Sequence, residues 1–400
     1  MGNVFSNLKG DKVIWATAGL LALFSFLPVY SSSSNIAYLY GDGSTFNYLV
    51  VHFFHLVLGF CLLFAIHRIP YHYFKGLSIL LLPIVIILLL YTISQGTTID
   101  GSNASRWIQI PFVGVTFQSS TLASVVLLIY VARYLTRIAH KTVTFKETIL
   151  PLWTPVFIVL VLILPANFST TAIIFTMVMI LVFLGGYPLR YIGIILGAGL
   201  IVLTLFILTA KAFPGLLPNR VDTWSNRIEN FTNSEDTDAD YQIEKAKIAI
   251  ARGGITGAGI GKSVQRNFLP QSSSDFIYAI IVEEMGLLGA FGVMLAYLML
   301  LFRIVIVATK ADTIFGKLVV MGVGLPIVFQ ALVNMAVAVE LFPVTGQTLP
   351  LISSGGTSIW MTCLALGIIL SVSAKREELK GSEDKELNSD NPLEILSETI

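Results

Sequence analysis

Charged side chains are scarce in this chain: Asp, Glu, Lys and Arg make up 12% of its 400 residues, whereas 55% are hydrophobic. A soluble domain carries roughly twice that charged fraction, which argues against this class of protein. The formal net charge is only +1, so no overall field favours nucleic acid as a partner. Cysteine is also rare. Cys61 and Cys363 both lie inside apolar runs, where small side chains facing lipid or the protein core are the simplest interpretation.

Long apolar runs recur along the whole chain, for example ILLLPIVIILLLYTI from Ile79 and IGIILGAGLIVLTLFILTA from Ile192. About 20 apolar residues span the hydrocarbon core of a membrane, and backbone groups there must be satisfied within helices. The sequence therefore predicts an all-α polytopic membrane protein with about ten transmembrane helices. No small-residue cleavage site follows the first run, which is interpreted as a retained helix rather than a signal peptide. The predicted helices begin near Ile14, Tyr48, Gly76, Ser119, Ile149, Thr170, Ile192, Phe276, Gly316 and Thr357.

Lysine and arginine residues in the short loops fall on one side of the predicted transmembrane domain, residues 1–375. The positive-inside rule makes that side cytoplasmic, together with both termini. One large loop, residues 213–275 between helices 7 and 8, lies on the extracytoplasmic side, and loops of this length are usually functional or disordered. The acidic, polar tail at residues 376–400 is predicted to be disordered in the cytoplasm.

Two cationic features lie on the extracytoplasmic side. Arg106, next to Trp107, is either an interfacial anchor or a planar donor for a phosphate or carboxylate group. In ARGGITGAGIGKSVQ, from Ala251, five glycines let backbone N–H groups approach an anion, and Lys262 adds positive charge. This segment resembles a phosphate-binding loop only loosely, because its spacing differs from that of a Walker A motif and no βαβ pattern surrounds it.

Three carboxylates lie near the start of the eighth predicted helix. Asp275 is placed at the outer membrane surface, within reach of water and headgroup sugars, and is predicted to do the chemistry. Glu283 and Glu284 follow inside the apolar run. An ionised group there costs about 2.5–3.5 kcal/mol, so each needs a cavity or a partner. Hydrogen bonding between helices is the favoured role of these two glutamates, with a role in the site left open.

The segment FPVTGQTLPLISSGGTSIW, from Phe342, breaks the hydrophobic pattern with prolines and a glycine pair. Non-helical backbone at membrane depth is tolerated only where it is buried or lines a cavity. Thr345, Gln347, Ser353 and Ser354 would provide hydroxyl and amide donors to that cavity. With Asp275 beside it, this segment predicts a site for an amphiphile whose oily tail lies in lipid and whose polar head lies outside.

The same segment closely resembles the signature P-x-T-G-x-x-L-P-x-x-S-x-G-G-S/T-S of the SEDS family, the FtsW, RodA and SpoVE group. SRWI, ADYQ and FLPQSSSDFIYAIIVEEMG are similar to further motifs of that family, in the same order along nearly the whole chain, and GKSVQ is most like the FtsW branch. The resemblance implies a peptidoglycan glycosyltransferase that polymerises lipid II into glycan strands at the outer face of the bacterial inner membrane. It also implies action at the division septum, with a class B penicillin-binding transpeptidase and other division proteins as partners.

The family's catalytic aspartate corresponds to Asp275, which would act as a general base on the acceptor sugar hydroxyl. The transfer would invert the anomeric centre and release undecaprenyl diphosphate. Arg106 and Lys262 would meet the charge of this leaving group, helped by a divalent cation such as Mg²⁺ or Mn²⁺. Substrate binding is predicted for Arg106, Trp107, Gln118, Gln242, Lys262, Ser263, Thr345, Gln347, Ser353, Ser354, Gly355 and Gly356.

Four positions depart from the family pattern. Ser124, Asn167 and Gln271 stand where a lysine, an aspartate and a glutamate are usual, and Ala258 stands where a lysine is frequent. A catalytically weak scaffold of the division complex is one alternative that these departures favour. A lipid II flippase or transporter is the other alternative, and it would need a continuous polar path across the membrane but no general base.

Overall fold

The computed structural model describes residues 8–40, 45–95, 106–109, 116–212, 238–269 and 272–389. A short antiparallel ribbon pairs β1, Ile108–Gln109, with β2, Thr116–Phe117. Helices make up most of the remainder of these ranges. In chain order they are α1 Lys12–Tyr40, α2 Thr45–Ile66, α3 Tyr73–Gln95, α4 Ser119–Ile138, α5 Phe145–Ile163, α6 Phe168–Leu184, α7 Leu189–Ala212, α8 Asp238–Gly253, α9 Ile277–Thr309, α10 Ile314–Ala338 and α11 Gly356–Ser389.

Eight of the described helices are long and apolar enough to cross a membrane, and α6 and the first part of α7 are shorter apolar helices. Together they match the ten predicted spans and confirm the all-α polytopic class. Helices α10 and α11 are the most enclosed, whereas α2 and α3 expose most of their apolar side chains. The centre of the bundle therefore lies at α10 and α11, and α2 and α3 form part of its lipid-facing boundary.

The tail differs from the sequence prediction. Helix α11 continues to Ser389, so residues 376–389, which were expected to be disordered, are helical. The segment AKREELKGSEDKELNS is rich in Glu, Lys and Leu, which have high helix propensity, and this explains the extension. Residues 390–400 lie outside the described residues, as do residues 213–237 of the large loop, whose next 16 residues form α8.

Helix α9 bends at Gly286, whose φ of 64° and ψ of −161° are not helical. A straight helix would separate residues 275 and 297 by about 33 Å. Instead, residues on either side of the bend contact one loop. Ser353 donates a hydrogen bond to Ser274 O, and Tyr297 donates one to Pro350 O. The two halves of α9 are therefore inclined toward each other. We call the first half, residues 277–285, the half-helix.

The half-helix is enclosed by protein on all its faces. Every residue from Phe276 to Glu284 is buried, although a helix at a lipid boundary would expose one face. Helix α8 packs along it, with Ala246 and Ala249 fully buried. Asp275 lies just before one end of the half-helix and the two glutamates lie at the other end, about 13 Å away.

The glycine-rich loop, residues 253–261, closes on the bend of α9. The N–H groups of Ala258 and Gly259 donate to the carbonyl oxygens of Glu283 and Glu284 at 2.9 and 3.0 Å. These contacts correct the loose resemblance to a phosphate-binding loop, because two of the amides that would face an anion bind the backbone of α9 instead.

Two glycines make this close approach sterically allowed. A Cβ atom at Gly257 would lie 2.1 Å from the carbonyl oxygen of Glu284, and one at Gly286 would lie 2.3 Å from that of Ile255. Both glycines also have positive φ, at 82° and 64°. The glycines of the loop and of the bend therefore serve backbone-to-backbone packing.

Candidate active site

Asp275 meets the broken segment across the mouth of the bundle. Its side chain is partly exposed, and a Cβ atom at Gly346 would lie 3.4 Å from Asp275 Oδ2. Gly346 has φ of 69°, which glycine adopts readily. Asp275 and Gly346, 71 residues apart in sequence, are thus brought close together, with the carboxylate facing backbone that has no side chain.

Ser353 and Ser354 hold the backbone that leads into Asp275. Ser353 Oγ donates to Ser274 O at 2.6 Å, and both N–H and Oγ of Ser354 donate to Ser273 O, at 2.9 and 3.1 Å. Ser353 is buried and its Oγ also accepts a hydrogen bond from Leu349 N. These two hydroxyls were predicted to donate to substrate, but the structure uses them to position the chain beside the candidate base.

Gln347 extends the polar surface from Asp275 toward helix α6. Its Nε2 donates to Thr170 Oγ1 at 3.0 Å. Thr170 lies in the first turn of α6, where its N–H donates to Asn167 Oδ1 at 3.2 Å. Asn and Asp are equally good N-cap residues, so the departure at Asn167 preserves this cap.

Arg106 reaches the same end of α6. Its Nε donates to Ala166 O at 2.8 Å, which orients the guanidinium group at the start of the helix. A cavity of about 20 Å³ lies beside it, lined by polar groups that include Ser119, Ser120 and Asn167. Trp107, the next residue, is partly exposed at the ribbon. Polar groups therefore follow one another from Asp275 through Gln347 to Arg106.

Gln118 connects this surface to the glycine pair. Its N–H donates to Thr357 Oγ1 at 3.3 Å, and its Nε2 donates to Ser120 Oγ at 3.1 Å. Gly356 lies against the ring of His55, where a Cβ atom would approach a ring carbon to 2.7 Å. Gly355 and Thr345 are partly exposed in the same segment. A larger residue at Gly356 would therefore require the ring of His55 to move.

Three predicted substrate-binding residues lie elsewhere. Gln242 is on α8, and Lys262 and Ser263 follow the glycine-rich loop, at the glutamate end of the half-helix. Lys262 is exposed and its side chain lies over Gly259. Ser263 is buried, and its hydroxyl donates to Glu283, so the predicted contact between Ser263 and substrate is at odds with its environment.

Glu283 and Glu284 are buried and surrounded by hydrogen-bond donors. Glu283 accepts hydrogen bonds from Ser263 Oγ and from the N–H groups of Val264 and Gln265, the latter two at 3.0 and 3.2 Å. It also accepts one from Arg252 Nη1 at 3.3 Å. Glu284 accepts from Ser263 N–H at 3.2 Å and from the hydroxyl of Ser31 on α1. These bonds join α1, α8, α9 and the loop, which is the linking role favoured for the two glutamates in the sequence analysis.

The donor set beside Asp275 does not form a metal site by itself. The described residues contain no group of three or more His, Cys, Asp or Glu side chains that could hold an ion. The neighbours of Asp275 in the described ranges offer mainly amides, hydroxyls and backbone carbonyls. No step below is assigned to a metal, and the predicted divalent cation stays a prediction. Gln271, a departure from the family pattern, lies outside the described residues.

Sequence reasoning overlooked two amides on α10. Gln330 and Asn334 are one helical turn apart, and both donate to carbonyl groups of the broken segment. Polar side chains within a membrane span usually face a partner inside the bundle, so their presence in LPIVFQALVNMAVA was a usable signal.

The family model for FtsW, RodA and SpoVE, described as cell cycle protein, matches residues 11–378. The chain belongs to this family. Two relatives in Geobacter carry the name probable peptidoglycan glycosyltransferase FtsW. The relative in Geobacter sulfurreducens is 32% identical over 385 residues, covering 95% of this chain and 98% of its own length. The relative in Geobacter metallireducens is 34% identical over 370 residues, covering 91% and 95%.

Solved structures share the fold. A chain from a complex described as structural coordination of polymerization and crosslinking by a peptidoglycan synthase complex aligns with a TM-score of 0.70 at 25% identity, covering 92% of this chain and 98% of that one. The rod shape determining protein RodA of Thermus thermophilus aligns with a TM-score of 0.65 at 23% identity, covering 92% and 97%. The protein is a multi-pass membrane protein with this architecture.

Proposed function

We propose that this chain is a peptidoglycan glycosyltransferase that polymerises lipid II into glycan strands at the outer face of the cytoplasmic membrane. The observation that carries the proposal is the proximity of Asp275 to Gly346, by which a partly exposed carboxylate faces the broken segment. The names of the relatives support the same activity.

The proposed reaction is a single displacement between two lipid-linked saccharides. Asp275 accepts the proton of the acceptor hydroxyl while the acceptor oxygen forms a bond to the donor's anomeric carbon. The bond from that carbon to the diphosphate oxygen breaks, and the electron pair leaves with the diphosphate. The anomeric centre is inverted, and the proton passes from Asp275 to water. A positioned base of this kind contributes about 10²–10⁴-fold to the rate.

Arg106 is the proposed partner of the leaving diphosphate. Its planar guanidinium group suits phosphate oxygens, and its anchorage to Ala166 keeps it at the same end of α6 as Gln347. Lys262 lies at the glutamate end of the half-helix, so the geometry favours Arg106 for this role. A contribution of Lys262 stays a prediction.

The proposed setting is the division septum, with both termini in the cytoplasm. The distribution of lysine and arginine supports the orientation, and the complex among the structural relatives supports a class B penicillin-binding transpeptidase as partner. Other division proteins would join the same assembly. Asp275 and α8 then lie on the extracytoplasmic side, where lipid II presents its sugars.

The test is polymerisation of lipid II by the purified chain, with and without its cognate transpeptidase, followed by separation of glycan strands by length. We expect strands from the wild type and a strongly reduced yield from Asp275→Asn. Translocation of labelled lipid II across liposomes without any polymer would overturn the proposal in favour of a flippase. Partner binding without turnover would overturn it in favour of a scaffold.

A further inference from the structure

Asn334 connects the two halves of the candidate site. It is buried on α10, and its Nδ2 donates to the carbonyl oxygens of Asp275 and Gln347, both at 2.7 Å. An amide nitrogen carries two hydrogens and can serve both oxygens, whereas the amide oxygen can only accept. The two carbonyls therefore determine which way this side chain points.

We infer that Asn334 is a positioning residue for glycosyl transfer, because it fastens the backbone of the catalytic base to the backbone of the segment facing it. The inference rests on the proposed function and goes beyond it, since it concerns a residue that touches neither sugar nor diphosphate.

Neither carbonyl belongs to the hydrogen-bond ladder of a helix. The first N–H bonds of the half-helix go to Phe276 O, so residue 275 precedes the ladder. Gln347 lies in irregular backbone between α10 and α11. Backbone oxygens outside a helical ladder need other donors, and Asn334 donates to both of these at once.

The double hydrogen bond sets the spacing within the site. Gly346 faces the carboxylate of Asp275, and the Gln347 side chain leads to Thr170. Asn334 holds residues 275 and 347 by their backbones, whereas Ser353 and Ser354 hold residues 273 and 274, so Asn334 acts most directly on the distance from the base to the polar groups across from it. A shift of about 1 Å in such a geometry can lower the rate about 10²-fold with little change in binding.

Gln330 provides a matched control on the same helix. One turn before Asn334, its Nε2 donates to Thr348 O at 2.9 Å and to Thr348 Oγ1 at 3.2 Å. It therefore anchors the same segment with two hydrogen bonds but makes no described hydrogen bond to residue 275. A comparison of the two positions separates fastening of the base from general support of the segment.

The experiment measures lipid II polymerisation by the full chain carrying Asn334→Leu or Gln330→Leu, with thermal unfolding in detergent as a check of folding. We expect Asn334→Leu to lower kcat about 10²-fold with KM changed little, and Gln330→Leu to lower kcat by less than about 5-fold. Equal losses in the two variants, or a loss of Asn334→Leu confined to KM, would overturn the inference. A wild type without polymerising activity would instead contradict the proposed function.

Asn334→Asp gives a second readout that a general loss of packing would not show. The introduced carboxyl has nearly the same shape, but when ionised it can only accept, and it repels both carbonyl oxygens. When protonated it donates to one of them, and burial favours that form. We expect the ratio of variant to wild-type kcat to rise as the pH is lowered from 8 toward 6. A ratio that is constant with pH would contradict the role of Asn334 as a donor, even if Asn334→Leu failed to fold.

Discussion

The carboxylates at the two ends of the half-helix differ in burial and in where the surrounding hydrogen-bond donors point. At the glutamate end, Glu283 and Glu284 are 0% and 3% exposed, and side-chain and backbone donors converge on their oxygens. At the other end, Asp275 is partly exposed, and Asn334, Ser353 and Ser354 direct their donors to backbone oxygens of residues 273–275.

This difference in burial separates the two carboxylates that link helices from the one proposed to act as the base. Donors that bind a carboxylate immobilise it, which suits a link between helices. Donors that bind the neighbouring backbone fix the position of a side chain through its main chain. Burial and the placement of donors, rather than the type of acidic residue, therefore separate the proposed role of Asp275 from that of the two glutamates.

The largest effect is expected on activity, from substitution of Asp275. Asp275→Asn keeps the size of the side chain but removes its basicity, so polymerisation of lipid II should fall about 10²–10⁴-fold. Thermal unfolding in detergent should change little, because Asp275 is partly exposed. Asp312→Asn, at an exposed position before α10, is the matched control and should retain full activity. Undiminished glycan synthesis by the Asp275→Asn variant would show that Asp275 is not the base.

At the glutamate end, substitution of Glu283 should lower the stability of the fold. Glu283→Ala leaves Arg252, which is 44% exposed, and three further donors without their acceptor. Each of these donors that stays buried and unsatisfied costs about 1–3 kcal/mol in the free energy of unfolding. Denaturation of the purified protein measures this. Glu244→Ala on the exposed side of α8, with its side chain 65% exposed, should change stability far less. If both variants unfolded alike, the network around Glu283 would not stabilise the fold.

A substitution at the bend, which follows the glutamate end of the half-helix, should lower stability by a smaller but measurable amount. Gly286→Ala introduces a side chain at φ of 64° and 2.3 Å from Ile255 O, and we expect a loss of about 2–4 kcal/mol in the free energy of unfolding. Gly292→Ala on the same helix meets nothing within 4 Å and should be tolerated. Equal stability of the two variants would show that the loop can withdraw from the bend without loss.

An exposed carboxylate should show the smallest effect. Lys247 Nζ lies 2.6 Å from Glu340 Oε2, with the two side chains 56% and 43% exposed. Solvent screens such a pair, so Glu340→Gln should change the free energy of unfolding by only about 0.2–1 kcal/mol, and less in high salt. A loss as large as that of Glu283→Ala would mean that exposure does not govern the energetics of carboxylates here.

Much of the fold could be predicted from local patterns. Ten apolar runs identified the spans, and the prolines and glycines after α10 marked the break in helical structure. Asp275 was placed at the mouth because the apolar pattern resumes directly after it. The helical residues 376–389 were missed because charge composition was weighed above helix propensity.

The partners of the polar residues could not be predicted in the same way. Ser353 and Ser354 were assigned to substrate, yet they bond residues about 80 positions earlier. The glycines of residues 253–261 suggested an anion, yet the loop packs on the bend of α9. Asn334 was overlooked because one amide in an apolar helix does not show which carbonyls it meets.

The sequence by itself determined that the chain crosses the membrane repeatedly, and where one broken segment and one interfacial acid lie, because hydropathy and backbone breaking act over neighbouring residues. Only the tertiary structure decided which carboxylates are saturated with donors and which backbone oxygens are held. Hydrogen bonds reach about 3 Å, and residues that share them here are separated by 13 to more than 200 positions in the chain.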